Sequence, residues 1–295
     1  LVVEADSIES YLISNYLFGA NDPEFNLTGD FTALLSGSFN DPTFKSTLKL
    51  NDFSYEKNRF GSLLGYLNYK DKLFKADIKF LDTTYNVNQP LLALTASLPF
   101  DLTVGEGKTR LIESEPIDIS LNTDNFNLAA LGQLVPFVNH QSGLVKSDLK
   151  ITGTYSNPKF EGGLDIGDAF FTVDYTNLDY NFNTKLQFQE NKLVIESLNI
   201  MNTRMVTYPG KMSIKGDVAL NGFNLADINL NVNGELSVLG KASQVTSPDL
   251  YGDLLIAAGD EWKFTYSNNR SFFAGDIILK KTDLTYTTSE ATYDS

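Results

Sequence analysis

The stretch SGLVKSDLKITGTYSNPKFEGGLDIGDAFFTVDYTNLD, residues 142–179, sets the architecture of the chain. It reads as strand, turn, strand. Leu149, Ile151, Gly153 and Tyr155 alternate with polar neighbours, Ser156-Asn157-Pro158 supply the turn, and Leu164 and Ile166 resume the alternation before the apolar run 169–173. A period of two puts every second side chain on one face of a sheet. The pattern recurs upstream: Gly37, Phe39, Pro42, Phe44, Leu48, Leu50 and Asp52 stand 116 residues ahead of Gly153, Tyr155, Pro158, Phe160, Leu164, Ile166 and Asp168. A looser copy has Pro248, Leu250, Leu254 and Ile256, with Gly240 three residues further from its proline. One recurring supersecondary unit marks a repetitive β architecture rather than an enzyme built round a single cleft.

Outward from this unit, strands dominate. Segments 66–69 and 76–80 flank the polar turn Lys70-Asp71-Lys72. The run 91–104 places Leu92, Leu94, Ala96, Leu98, Phe100, Leu102 and Val104 on one face, and Pro99 within it demands a bend, a bulge or an edge. Gln189-Glu190-Asn191 and Asn268-Asn269 read as turns, and Asn221-Gly222 and Asn233-Gly234 as hairpin turns. The total is about twenty strands of ordinary length. Two segments break the pattern. Val3, Ile8, Tyr11, Leu12 and Tyr16 predict an amphipathic helix over 3–18, ending before Gly19. Leu128, Leu131, Leu134 and Val135 predict a second over 124–138, capped by Asn125 or Asn127 and stopped by Pro136 or Asn139. Each precedes a copy of the hairpin. The expected organisation is a helix-plus-repeat region, 1–139, continuous with a second β region, 140–295.

Composition excludes several functions. A net charge of -14 leaves no basic footprint for nucleic acid. The chain has no cysteine, so disulfides and thiolate metal sites are impossible. His140 is the single histidine and is expected in a cap or surface role. Asp165, Asp168 and Asp174 miss the calcium-loop spacing, and the repeat of Asp168 at Asp52 points to a turn or edge role. No nucleotide-binding, nucleophile-elbow or zinc-protease pattern occurs, so neither catalysis nor a cofactor is expected. No stretch approaches the length of a membrane-spanning apolar helix. The first residues are unlike a signal peptide, and the chain is expected to be a piece of a longer protein.

Alternation implies one apolar and one wetted face. The apolar stripe comprises Leu98, Phe100, Leu102, Ile151, Leu164, Ile166, Phe182, Leu186, Phe188, Ile214, Val218, Ile228, Leu230, Val232, Trp262, Phe264, Ile277 and Leu279. Two short helices cannot cover so many strands, so the stripe must close on itself as a sandwich or barrel, or line a trough open to acyl chains. Periodicity predicts the same residues either way.

Residues 142–171 resemble the recurrent repeat of the AsmA/TamB family of bacterial envelope proteins. The shared features are an opening glycine, a strand, Gly153-Thr154, Asn157-Pro158, an aromatic residue, a glycine and a further strand. Segment 128–138 is similar to the short helix that precedes that repeat, 28–50 is a second match, and 230–279 resembles the C-terminal domain of the TamB branch. The resemblance implies a mostly β fold: a long curled antiparallel sheet forming an apolar-lined groove, a β-taco, with two short amphipathic helices. It implies a periplasmic location in a diderm bacterium, with the parent protein anchored in the inner membrane and bridging to the outer one. The expected function is a non-enzymatic conduit for phospholipids between the two membranes, contributing to outer-membrane protein assembly with a BamA-type barrel partner. Neither the anchor nor an evident segment for docking that barrel falls within residues 1–295, and both are expected in parts of the longer protein outside this piece. The alternatives are a structural or protein-binding β-sandwich or solenoid without lipid, and an enzyme on a β-helix acting on polysaccharide.

Overall fold

The computed structural model describes residues 1–9, 25–55, 58–81, 90–103, 110–129, 137–203 and 206–287. Eighteen strands follow one another. The first eight are β1 (Val2–Glu9), β2 (Phe25–Ser38), β3 (Asp41–Tyr55), β4 (Asn58–Lys70), β5 (Leu73–Leu81), β6 (Pro90–Pro99), β7 (Asp118–Asn127) and β8 (Val138–Thr154). Then come β9 (Asn157–Glu161), β10 (Gly163–Val173), β11 (Leu178–Gln189), β12 (Lys192–Asn202), β13 (Lys211–Asn221) and β14 (Asn224–Leu239). The last four are β15 (Leu250–Ala258), β16 (Trp262–Ser267), β17 (Arg270–Ala274) and β18 (Ile277–Tyr286). All belong to one antiparallel sheet. It runs as a meander from β1 to β8 and from β10 to β14, and it crosses residue 139 unbroken because β8 pairs with both β7 and β10.

The repeat is a hairpin. Gly37 faces Pro42 across β2 and β3, and Gly153 faces Pro158 across β8 and β9. In each copy a hydroxyl at the turn accepts the first amide of the returning strand: Ser38 from Asp41 and Thr154 from Asn157, both at 3.1 Å. Gly37 and Gly153 have φ of +85° and +88°, and a Cβ at either would collide with the carbonyl of Asp41 or Asn157. The repeated aspartates mark bulges rather than turns. Asp168 has φ +48° where β10 shifts register against β11, and the same shift falls between Leu50 and Phe53 of β3. The third copy differs: Gly240 leads into the 3-10 turn Lys241–Val245, which replaces the tight hairpin before β15.

Several expectations are corrected. Among the described residues there is no α-helix. Val3 and Ile8 lie in β1, where Val3 pairs with Ala33; the remainder of that predicted helix lies outside the described residues. Residues 124–127 belong to β7, Leu128 and Ala129 are in 3-10 conformation, and Leu131, Leu134 and Val135 lie outside the described residues. Asn125, at φ +62°, makes a bulge that lets Phe126 pair with Val145, so ladder pairing overrides helical spacing. Asn233-Gly234 is no hairpin. It sits inside β14, where Gly234 pairs with Met212 and the neighbour on the other side changes from β16 to β15. The strand at 91–104 stops at Pro99, which lacks the amide to continue the ladder; beyond it Phe100 makes one isolated bridge to Leu111. His140 is exposed at φ +52° in β8.

Gly37→Ala and Gly153→Ala are expected to destabilise the chain alike, each by more than about 1 kcal/mol, because both force a side chain into left-handed backbone against a carbonyl. Urea unfolding of the two variants checks this, and equal shifts in midpoint would show that the two hairpins are equivalent.

Candidate functional site

Residues directly opposite in an antiparallel pair share a face, so the pairing traces rows of side chains across the sheet. One row runs Ser147, Leu164, Leu186, Ile195, Gly216, Leu230, Phe264, Phe273. The next runs Val145, Ile166, Thr184, Leu198, Ile214, Val232, Trp262. A third joins Phe188, Leu193, Val218, Ile228 and Tyr266, and a fourth Ala169, Phe182, Ile200 and Met212. The face continues through Ser147 to Thr123, and through Leu149 to Leu121, Leu94, Ile78, Gly65, Leu48 and Phe31. Leu98 joins Phe74, Tyr69, Phe44 and Leu35 in a parallel row, and Ile151 lies between Ile119 and Phe160. The β1–β7 and β8–β17 regions therefore share one apolar face.

Of the eighteen stripe residues singled out in the sequence, Trp262 alone is fully buried. Leu98, Ile151, Leu164, Ile166, Phe182, Leu186, Phe188, Ile214, Val218, Ile228, Leu230, Val232 and Phe264 are half-buried on the shared face. Ile277 and Leu279 are exposed on β18, where Leu279 pairs with Ile256. Phe100 and Leu102 are off the strands. The amide of Phe100 donates to Lys72 O at 2.8 Å, and that of Leu102 to the buried Tyr69 hydroxyl at 2.9 Å, which folds this segment back onto β4. Asp101 fastens it. The Thr103 hydroxyl and amide, then the Lys72 amine, hold its carboxyl well below the usual range.

The sheet rolls between β9 and β14 until strands several places apart touch. At one end Phe160 of β9 stacks on Phe188 at 5.1 Å and meets Phe223, in the β13–β14 turn, edge-on at 5.6 Å; Tyr155 stacks on Phe223 at 4.9 Å. At the other end Leu178, Tyr180, Val206, Met212, Leu236 and Trp262 form a buried cluster. Asn202 completes that end. Its carboxamide donates to Ser237 O at 2.9 Å and accepts from Ser237 N at 2.8 Å and Gly210 N at 3.0 Å. It thus stands in for the peptide that β13, starting at Lys211, does not supply. Tyr180 of β11 donates to the same Ser237 carbonyl at 3.0 Å, and burial pushes its phenol pKa up to about 12. The 3-10 turn locks over this end, Ser243 Oγ donating to Thr176 O at 2.6 Å.

Over β1–β7 the opposite face carries a depression of about 1100 Å³ bordered by Glu4, Lys45, Tyr66, Lys75, Asp77 and Asp118, together with Val2 and Leu34. Sequence periodicity carries no signal for that depression. Among the described residues no three His, Asp or Glu side chains are grouped to hold a metal.

No family model matches the chain. No solved structure matches it either. Over 132 residues, 45% of its length, it is 26% identical to the C3a anaphylatoxin chemotactic receptor of Mus musculus, spanning 27% of that protein. A similarity of that extent shows no family.

Asn202→Ala is expected to cost about 1–3 kcal/mol, since it strands backbone groups of Gly210 and Ser237 away from water; urea unfolding measures the loss. Asp101 contributes stability that is complete above the ordinary carboxylate range and disappears as pH falls through its lowered folded value. In a carboxyl-detected NMR titration, Thr103→Val should move the Asp101 midpoint upward.

Proposed function

We propose that the chain is a non-enzymatic lipid-binding unit whose curled sheet forms an apolar-lined groove for phospholipid acyl chains. A single observation carries this reading: thirteen of the eighteen stripe residues lie on apolar rows that extend across the sheet and stay half-buried, where a closed core would bury them, while Val145, Ala169, Met212 and Trp262 on the same rows are buried. Each acyl CH₂ laid on such a face gains about 0.8 kcal/mol on leaving water. The driving force is non-directional, so head groups stay at the rim and no reaction is needed. With the resemblance of residues 142–171 and 28–50 to the AsmA/TamB repeat, the reading extends to phospholipid conduction between inner and outer membranes in a diderm periplasm, alongside a BamA-type barrel partner. The aromatic contacts of Phe160 and Phe223 and the Asn202–Ser237 tie then bound a rolled segment within a longer path. A second reading, a protein-binding β scaffold without lipid, is favoured by the exposed apolar edge at β17–β18, where Phe272 is 65% and Leu279 61% exposed.

The decisive experiment is native mass spectrometry of the purified chain with lipid extraction from the same sample. Leu230 and Phe264 lie directly opposite each other. Leu230→Asp and Phe264→Asp should each remove co-purifying phospholipid while the far-ultraviolet circular dichroism stays that of the parent. A lipid-free wild type, or variants that keep their lipid, would sink the conduit and leave the scaffold.

A further inference from the structure

β18 pairs in register with β15 alone among the described residues, and all ten of its residues are exposed. Such an edge presents a row of unpaired amides and carbonyls and is a template for another strand. Its side chains add an unsolved charge problem. Asp283 stands directly opposite Asp253, which is itself 6% exposed and accepts from the Thr207 hydroxyl at 3.1 Å. Like charges directly opposite destabilise a ladder. The lysines of β18 are engaged within the single copy: Lys280 Nζ lies 3.5 Å from Glu235, and Lys281 Nζ sits over the Tyr208 ring at 5.7 Å from its centroid.

We propose that β18 is a homodimer interface, in which the β18 strands of two copies pair antiparallel about a two-fold axis through Thr282. In that register Lys281 of each copy faces Asp283 of the other. Lys281 and Asp283 are two residues apart, so both point to one face, and the two cross-strand ion pairs form side by side. Each sets the second copy's Lys281 beside the Asp253–Asp283 pair, where two like charges of one copy stand opposite each other. The edge is thus self-complementary in charge, as a closed two-fold interface requires. Pairing also covers the exposed Leu279 and Leu284 and joins two sheets into one. This inference stands apart from the lipid reading and survives its failure.

Sedimentation velocity over a concentration series tests it. The wild type should move from the 32.7 kDa chain to twice that mass as concentration rises. Asp283→Lys and, separately, Lys281→Asp should each abolish the dimer by setting like charges opposite one another. The double exchange Lys281→Asp with Asp283→Lys should restore it, with circular dichroism confirming the fold of each. A wild type that stays monomeric throughout overturns the proposal, as does a dimer that tolerates Asp283→Lys or a folded double exchange that stays monomeric. Species that grow beyond the dimer also overturn it, because a closed two-fold interface stops at two copies.

Discussion

Most described strands put apolar residues on one shared face of a single sheet, and among the described residues no helix or opposing sheet covers that face. An α/β or sandwich protein meets this constraint with helices or an opposing sheet. Here the described residues supply neither. The sheet meets the constraint by bending. Between β9 and β14 it rolls until Phe160 reaches Phe223 and Tyr180 reaches Ser237, so that side chains from one layer cover one another.

Rolling brings its own cost, because strands of unequal length leave backbone groups without a ladder partner at the ends. The Asn202 side chain settles one of these gaps by behaving as a peptide between β12 and β14. Similar economy appears along the strands, where Asn125 and Asp168 adopt left-handed backbone and return the following apolar residues to the shared face. These bulges explain how the apolar rows stay continuous although the chain alternates imperfectly.

Much of this was legible beforehand. The 116-residue repeat corresponds to two equivalent hairpins, and most stripe residues share a face. The turns Asp71-Lys72 and Asn268-Asn269 both have left-handed backbone, as hairpin turns require. The misreadings have one origin. The apolar spacings within 3–9 and 124–129 fit a helix as well as a bulged strand, and the neighbouring strand decides. Val3 finds Ala33, and Phe126 finds Val145. Asn233-Gly234 has hairpin chemistry, yet the unbroken partner β13 keeps β14 extended past it.

The sequence by itself determined the fold class, the hairpin repeat and the identity of the apolar face, because a period of two and a glycine that must be left-handed are local properties of the chain. Only the tertiary structure decided where the sheet rolls, that Leu164, Leu186 and Leu230 stay half-buried while Trp262 and Tyr180 are sealed, and that β18 pairs with β15 alone among the described residues. Those outcomes depend on which distant strands meet, through contacts such as Asn202 with Ser237, and no local pattern of residues encodes that distance.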